Sequence, residues 1–379
     1  MVIPVLVEPS YAHSIWIREA LDGLNREAAK RKYHLELLPQ KYEQINYDAL
    51  FGNEKKIVVL AGASVTYVPK VLEFFSRKSI SVILINYETS DSFPTQGMMQ
   101  MDYANAVNAL LQYLTDCGKK RIALYGVNPN SSADGVKLRA FEDWLRSCHN
   151  EAFGSVFYNY ASLTNCYLSV RNVLHRFDAI ICVNNIVAAS LMQRLLADGV
   201  RVPESLFVAA LGDSLLLRNL KPSVTAVSLD YSKIGSQAVL LYAYLSKQKE
   251  SGTVSVRIPF SFEVRESTAM IPFSTDARHV PVQEERKIRG VDFYSDPEVQ
   301  IYSKADHLLS ICDDTDFELL RGILRGETYE SIAQRTFMTV DSLKYRKKRM
   351  MRAASCAQSE EFLSLLHVFS DLGIIANSK

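Results

Sequence analysis

An alternation along the first 270 or so residues constrains the fold most. Short apolar runs rich in β-branched residues recur there between longer segments with helical spacing. Val2–Val7, Lys56–Leu60, Val82–Ile85, Arg121–Tyr125, Ala179–Val183 and Leu206–Leu211 read as buried strands, since a strand covered on both faces shows a continuous apolar run. Between them Trp16, Ala20, Leu24 and Ala28, and again Val107, Leu110, Leu111 and Leu114, recur at near-helical intervals, giving each helix a stripe to lay on a sheet. That order specifies βαβ units around parallel sheets, an α/β body. More than ten elements exceed one doubly wound sheet, so two similar lobes are expected, with the loop Asp116–Arg121 as the passage between them. Lobe one takes about residues 1–115 and 229–258, and lobe two about 117–228 and 259–270.

Composition narrows the function. A chain of 379 residues is too long for a single core, because one core stops growing near ~250 to 300 residues. With 43 Lys plus Arg against 42 Asp plus Glu and 48% hydrophobic residues, a wholly basic nucleic-acid protein and a disordered chain are both excluded. No stretch approaches the ~18 to 20 apolar residues of a membrane span, and Met1–Val7 lacks a basic leader, so a cytoplasmic location without membrane contact is expected. Six scattered cysteines without a CxxC pair read as core thiols. No phosphate loop, GxGxxG turn, HExxH or GxSxG elbow occurs, and the seven histidines lack metal-ligand spacing. No catalytic residue, cofactor or metal is expected.

Residues 271–305, with Pro272, Pro281, Pro297 and the run Glu284–Lys287, read as a linker, and residues 306–379 as a new all-helical domain. Thr315 to Glu318 has the spacing of a capping box. Phe317, Leu320, Ile323 and Leu324 form the stripe of a first helix ended by Gly326; Thr328 caps a second with Ile332 and Ala333; Thr339 caps a third over about Val340 to Ala353. This is the helix-turn-helix arrangement. Residues 301–379 carry 11 basic and 11 acidic side chains, yet six cations fall within Lys344–Arg352, with no acid between Asp341 and Glu360. A cationic helix of this length suits the major groove of duplex DNA.

The run Phe317 to Ala333, followed by Thr339-Val340-Asp341-Ser342-Leu343-Lys344, resembles the LuxR-type DNA-binding domain over about 60 residues, with Leu372-Gly373-Ile374-Ile375 suiting its fourth helix. Thr336 stands where that family prefers Leu, and Arg346 where His is common. The resemblance implies that Lys344, Tyr345 and Lys348 face bases, while Arg346, Arg349 and Thr328 hold phosphates. The body resembles the ligand-binding core of the lactose-repressor (LacI/GalR) family, itself similar to periplasmic sugar-binding proteins. Cys117 to Ala123, Leu196 to Pro203, Leu211 to Ser214, Pro222 to Thr225 and Val264 to Thr268 carry it, in the family's order. That family's DNA-binding headpiece precedes strand one, whereas the two resemblances together imply that a DNA reader is expected here at the C-terminus.

Ligands of open α/β lobes sit at the carboxyl ends of strands. Those ends hold Ser10, Tyr11, Ser64, Asn86, Glu88, Asn184 and Asp213, and the family resemblance adds Trp16, Asp102 and Lys137. Trp16 either stacks on a ligand ring or faces the core; Asp213 either accepts from a ligand hydroxyl or shapes its turn. Lys137 stands where the family often has Arg, exchanging a planar fork for a point charge. The expected protein is a ligand-responsive transcription regulator, a homodimer, sensing a sugar or similar small polar metabolite between its lobes. The alternative is a small-molecule binding protein whose C-terminal helices dock a protein partner.

Overall fold

The computed structural model describes residues 1–52, 54–88, 96–148, 153–160, 162–248, 252–269 and 293–375. The first lobe comprises β1 (Val2–Val7), α1 (Ile15–Lys30), β2 (His34–Leu37), α2 (Tyr47–Phe51), β3 (Ile57–Ala61), α3 (Val68–Arg77), β4 (Ser81–Ile85) and β5 (Gly97–Met101). The second is built from α4 (Tyr103–Asp116), β6 (Arg121–Val127), α5 (Ser132–Ser147), β7 (Phe153–Tyr158), α6 (Leu163–Arg171), β8 (Ala179–Cys182), α7 (Asn185–Ala197), β9 (Phe207–Leu211), α8 (Leu215–Asn219) and β10 (Thr225–Leu229). α9 (Tyr231–Leu245) and β11 (Val254–Ile258) return to lobe one, and β12 (Phe260–Glu263) to lobe two.

Two six-stranded sheets result, ordered β2-β1-β3-β4-β5-β11 and β7-β6-β8-β9-β10-β12. The first is parallel throughout; in the second only β12 runs against its neighbour β10. Central strands such as Ile57–Ala61 and Phe207–Leu211 are buried along their whole length, as their unbroken apolar sequence requires. α1 and α9 cross closely enough that a Cβ on Gly23 would lie 1.9 Å from the Ser232 carbonyl oxygen, and one on Gly235 1.9 Å from that of Ala20. Only glycine fits at either position.

The chain crosses between lobes at Asp102, not in the loop after Leu114, because α4 packs on α5 and β9 of the second sheet. It crosses again at Asp230 and between Ile258 and Pro259, and Asp102 N–H donates to the Ile258 carbonyl at 3.2 Å, tying two crossings together. Elsewhere the lobes touch where Ser132 N–H donates to the Ala63 carbonyl at 2.9 Å and Val65 N–H to that of Asn130 at 3.0 Å, with Ser64 and Ser131 in an antiparallel bridge.

Of the expected linker, residues 271–292, with Pro272, Pro281 and Glu284–Lys287, lie outside the described residues. The rest is ordered: Phe293–Ser295 form a 3-10 turn and Pro297–Ile311 form α10. Pro297 starts this helix rather than breaking a pattern, since proline's fixed φ suits the first helical position. Asp296 caps it, accepting from Glu298 N–H at 3.0 Å. Val299, Tyr302, Ala305, Leu308 and Leu309 make its buried stripe, which packs on α7 and α8 of lobe two.

α11 (Asp314–Leu324), α12 (Tyr329–Thr336), α13 (Val340–Ala353) and α14 (Ser359–Asp371) complete the chain. The first cap differs from the expected Thr315–Glu318 box. Asp313 accepts from Asp316 N–H at 2.9 Å while the Asp316 carboxylate accepts from Asp313 N–H at 3.1 Å. A shorter acidic pair does the same work two residues earlier. Thr328 and Thr339 cap α12 and α13 as their spacing requires, accepting from Ser331 and Ser342 N–H at 3.3 and 3.2 Å. All six cysteines are free; Cys166, Cys182 and Cys356 are buried and the others partly so. Among the described residues no helix is long and apolar enough to cross a membrane.

Candidate ligand cleft and nucleic-acid interface

Between the lobes lies a cavity of about 300 Å³. Of the sequence-derived candidates, Tyr11, Trp16, Asn86, Lys137, Asn184 and Asp213 line it. Trp16 is buried, and it forms part of the cavity wall between Tyr11 and Tyr231, each 6.2 Å away by ring centroid. Asn184 caps α7, accepting from Val187 N–H at 2.9 Å. Asn86, held at φ +61°, accepts from the Tyr103 hydroxyl at 2.7 Å. Lys137 is buried, with its ammonium donating to Asp134 Oδ1 at 3.0 Å and to the Val183 carbonyl at 2.8 Å, and lying 4.7 Å from the Tyr103 ring centroid. This network fixes the wall's shape, since a buried charge is tolerated only with its partners in place.

Asp213 is engaged on both oxygens. Arg265 donates to Oδ1 and Oδ2 at 2.9 and 2.7 Å, Arg218 Nη2 to Oδ2 at 2.7 Å, and Ser214 N–H to Oδ1 at 2.9 Å. Burial alone would raise its pKa; the bonds from Arg265 and Arg218 outweigh that and hold the carboxyl below its ordinary value. Asp213 therefore positions Arg218, a cavity-lining cation.

Four candidates do not reach the cavity wall. The Ser10 hydroxyl donates to Glu8 Oε1 at 2.9 Å, and the buried Glu8 also takes the Ser64 hydroxyl and the Ala63 and Ser64 N–H groups. Ser64 thus serves the interlobe bridge. Glu88 N–H donates to the Ser132 hydroxyl at 3.2 Å outside the cavity, and Asp102 sits at the first crossing, accepting from Asn105 Nδ2 at 2.9 Å.

Sequence reasoning missed Tyr103 and Tyr231, whose hydroxyls meet at 3.2 Å and whose rings line the cavity. A signal existed: each follows an aspartate at a crossing, in the pairs Asp102-Tyr103 and Asp230-Tyr231. It also missed a wall made by the C-terminal segment. Phe293, Tyr294, Asp306 and Ser310 line the cavity, and the Tyr294 ring meets Tyr11 edge-on at 5.0 Å. Glu19, at the same mouth, has its carboxyl pushed up to about 7, first by partial burial and then by Asp306 and Asp230.

On α13, Leu343 and Met350 are buried, leaving Asp341, Lys344, Tyr345, Lys348, Arg349 and Arg352 on one exposed stripe. Lys344, Lys348 and Arg352 make no ion pair among the described residues, and Tyr345 is 69% exposed. Arg346 and Arg349, expected on phosphates, instead converge on the fully buried Asp316; Arg346 Nη1 donates to Oδ1 at 2.9 Å and Arg349 Nη2 to Oδ2. Thr328 is exposed but committed to its cap. Phe337, in the turn before α13, is 96% exposed with φ +56°.

Residues 111–268 match the family described as "Periplasmic binding protein-like domain". The chain is 24% identical over 255 residues to the NTD biosynthesis operon regulator NtdR of Bacillus subtilis, covering 60% of this chain and 77% of that protein. The crystal structure of the transcription regulator CcpA of Lactococcus lactis superposes with a TM-score of 0.59 at 18% identity, covering 71% of this chain and all of the other. That of a LacI family transcriptional regulator from Enterococcus faecium with bound ribose gives 0.56 at 16% identity, covering 72% and 100%. The two-lobed body is therefore similar in fold to solved LacI-family transcription regulators, and residues 111–268 of it resemble the periplasmic-binding-protein-like family.

Proposed function

We propose that the protein is a ligand-responsive transcription regulator that binds a sugar or similar small polar metabolite between its lobes and duplex DNA through α13. The observation that carries the reading is the coexistence in one chain of an interlobe cavity walled by aromatic rings, amides and carboxylates and a helix-turn-helix with an exposed basic stripe. Rings offer apolar faces to C–H patches, and amides and carboxylates pair with hydroxyls. The similarity to NtdR, to CcpA and to a ribose-bound LacI-family structure supports the regulatory reading. Ligand acts by population shift, favouring the closed cleft and so changing how a homodimer presents its two α13 helices. The boundary expected at 306 falls inside α10, which packs on lobe two, so the working boundaries are a body over 1–270 completed by α10 and a DNA-binding domain that begins at α11 (Asp314–Leu324).

The test is binding to a library of genomic duplex fragments at several salt concentrations, with and without a panel of sugars. A salt-dependent affinity that one sugar changes supports the reading. If no fragment binds at low salt in either condition, α13 is a protein-docking surface, the competing account of its cations.

A further inference from the structure

We propose that α10 forms a third wall of the ligand site and hands the state of the cleft directly to α13. The inference rests on the reading of the cleft as effector site and α13 as DNA reader, and concerns how the two communicate. α10 is anchored on lobe two at its N-terminal end. The Asp296 carboxylate accepts from Leu163 N–H at 2.9 Å, and Glu298 accepts from the Ser190 hydroxyl at 2.6 Å and from Arg194 Nη2 at 2.7 Å. Farther along, the buried Asp306 accepts from Leu216 N–H at 3.0 Å at the start of α8 and lies close enough to lobe one for the charges of Arg18 and Glu19 to act on it or be acted on by it. Its carboxyl is pushed up by burial.

The last turn of the helix joins the two sites. Ser310 lines the cavity mouth, and the next residue, Ile311, accepts on its carbonyl from Arg349 Nη2 at 3.3 Å. Cys312 Sγ then donates to Met350 Sδ at 3.7 Å. Arg349 and Met350 are residues of α13 itself. Lys304 adds a second tie, to Glu361 of α14 at 2.6 Å. A ligand touching Asp306 or Ser310 thus pushes on a rigid helix whose end is in contact with the recognition helix. The path needs no free linker.

Amide hydrogen exchange on the full-length chain tests this without DNA or effector, so its outcome stands even if no DNA fragment is ever bound. Asp306→Ala removes the acceptor for Leu216 N–H without touching α13, and should speed exchange across residues 340–353 about tenfold, because local opening is governed by such anchoring contacts. Asp306→Asn keeps an acceptor oxygen and should restore near-native protection. Ser310→Trp, at an exposed position that a fold should tolerate, should also speed exchange in α13 by crowding the mouth. Asn128→Ala, on a part of the wall bonded to Asn130 and Asp134 rather than to α10, should leave α13 unchanged. Faster exchange confined to α10, or equal acceleration in all variants including Asn128→Ala, would overturn the proposal.

Discussion

Lys348→Ala and Arg349→Ala remove neighbouring cations from the same exposed stripe, and the structure assigns them opposite consequences. Lys344, Lys348 and Arg352 are unpaired among the described residues, so each is free to displace a counterion from DNA. A phosphate contact contributes about 0.9 to the slope of log K against log salt, so if the three unpaired cations rest on phosphates, in place of the base-facing role that the LuxR resemblance implies for Lys344 and Lys348, they give about 2.7 per chain, or roughly a 40-fold loss of affinity between ~50 and ~200 mM salt. Lys348→Ala should lower the slope by about 0.9, costing about 3.5-fold across that range. Its folding stability should not change. Arg349 spends its charge on Asp316, which is 0% exposed, and Arg346 supports the same carboxylate. Arg349→Ala should therefore leave the slope nearly intact and cost about 1 to 2 kcal/mol of stability, less than the ~3 to 5 of breaking a fully buried pair, because Arg346 persists and Arg349 is partly exposed. Fluorescence anisotropy on one duplex across a salt series, with urea unfolding in parallel, measures both quantities. The reasoning fails if Arg349→Ala flattens the slope as much as Lys348→Ala while leaving the urea midpoint unmoved.

Phe337→Gly should stabilise the fold by about 1 kcal/mol, since a non-glycine residue in the left-handed region costs ~1 to 2 kcal/mol and an almost fully exposed ring gives up little packing; chemical unfolding checks it. Because the folded pKa of Glu19 is raised, the native state binds more protons than the unfolded state between the ordinary carboxylate range and about 7, so stability should fall as pH rises through that window. Glu19→Gln should flatten that fall, and urea midpoints taken through the window that keep their wild-type pH dependence would remove Glu19 as its source.

What was legible in the sequence was what burial writes locally. Ile57–Ala61 and Phe207–Leu211 are apolar without interruption because both faces are covered, and they were readable. The strand His34–Leu37 was not, being a short edge strand that is mostly exposed and has no apolar run to show. Thr328 and Thr339 are identifiable as caps because a cap is a contact three residues long; Thr315 and Glu318 share that spacing with Asp313 and Asp316, so spacing alone does not separate the observed cap from the expected one. Strand ends led to Asn86, Asn184 and Asp213, yet could not reveal that Arg265, 52 residues away, already occupies Asp213. The wall made by Tyr294, Asp306 and Ser310 was hidden for the same reason. Proline at 297 looked like punctuation, and the contacts that make it a helix start lie on α6, α7 and α8.

The central claim, that closure of the cleft sets the DNA affinity of α13, is tested most directly by locking the lobes together. Ser64 and Ser131 face each other across an isolated antiparallel bridge, where Cα atoms lie about 4.5 to 5.5 Å apart, within the range a disulfide spans. The Ser64→Cys, Ser131→Cys double variant should bind a selected genomic duplex with one affinity when reduced and another when oxidised, and the oxidised form should no longer respond to any sugar that shifts the wild type. Equal dissociation constants in the two redox states, with the sugar response intact in both, would contradict it.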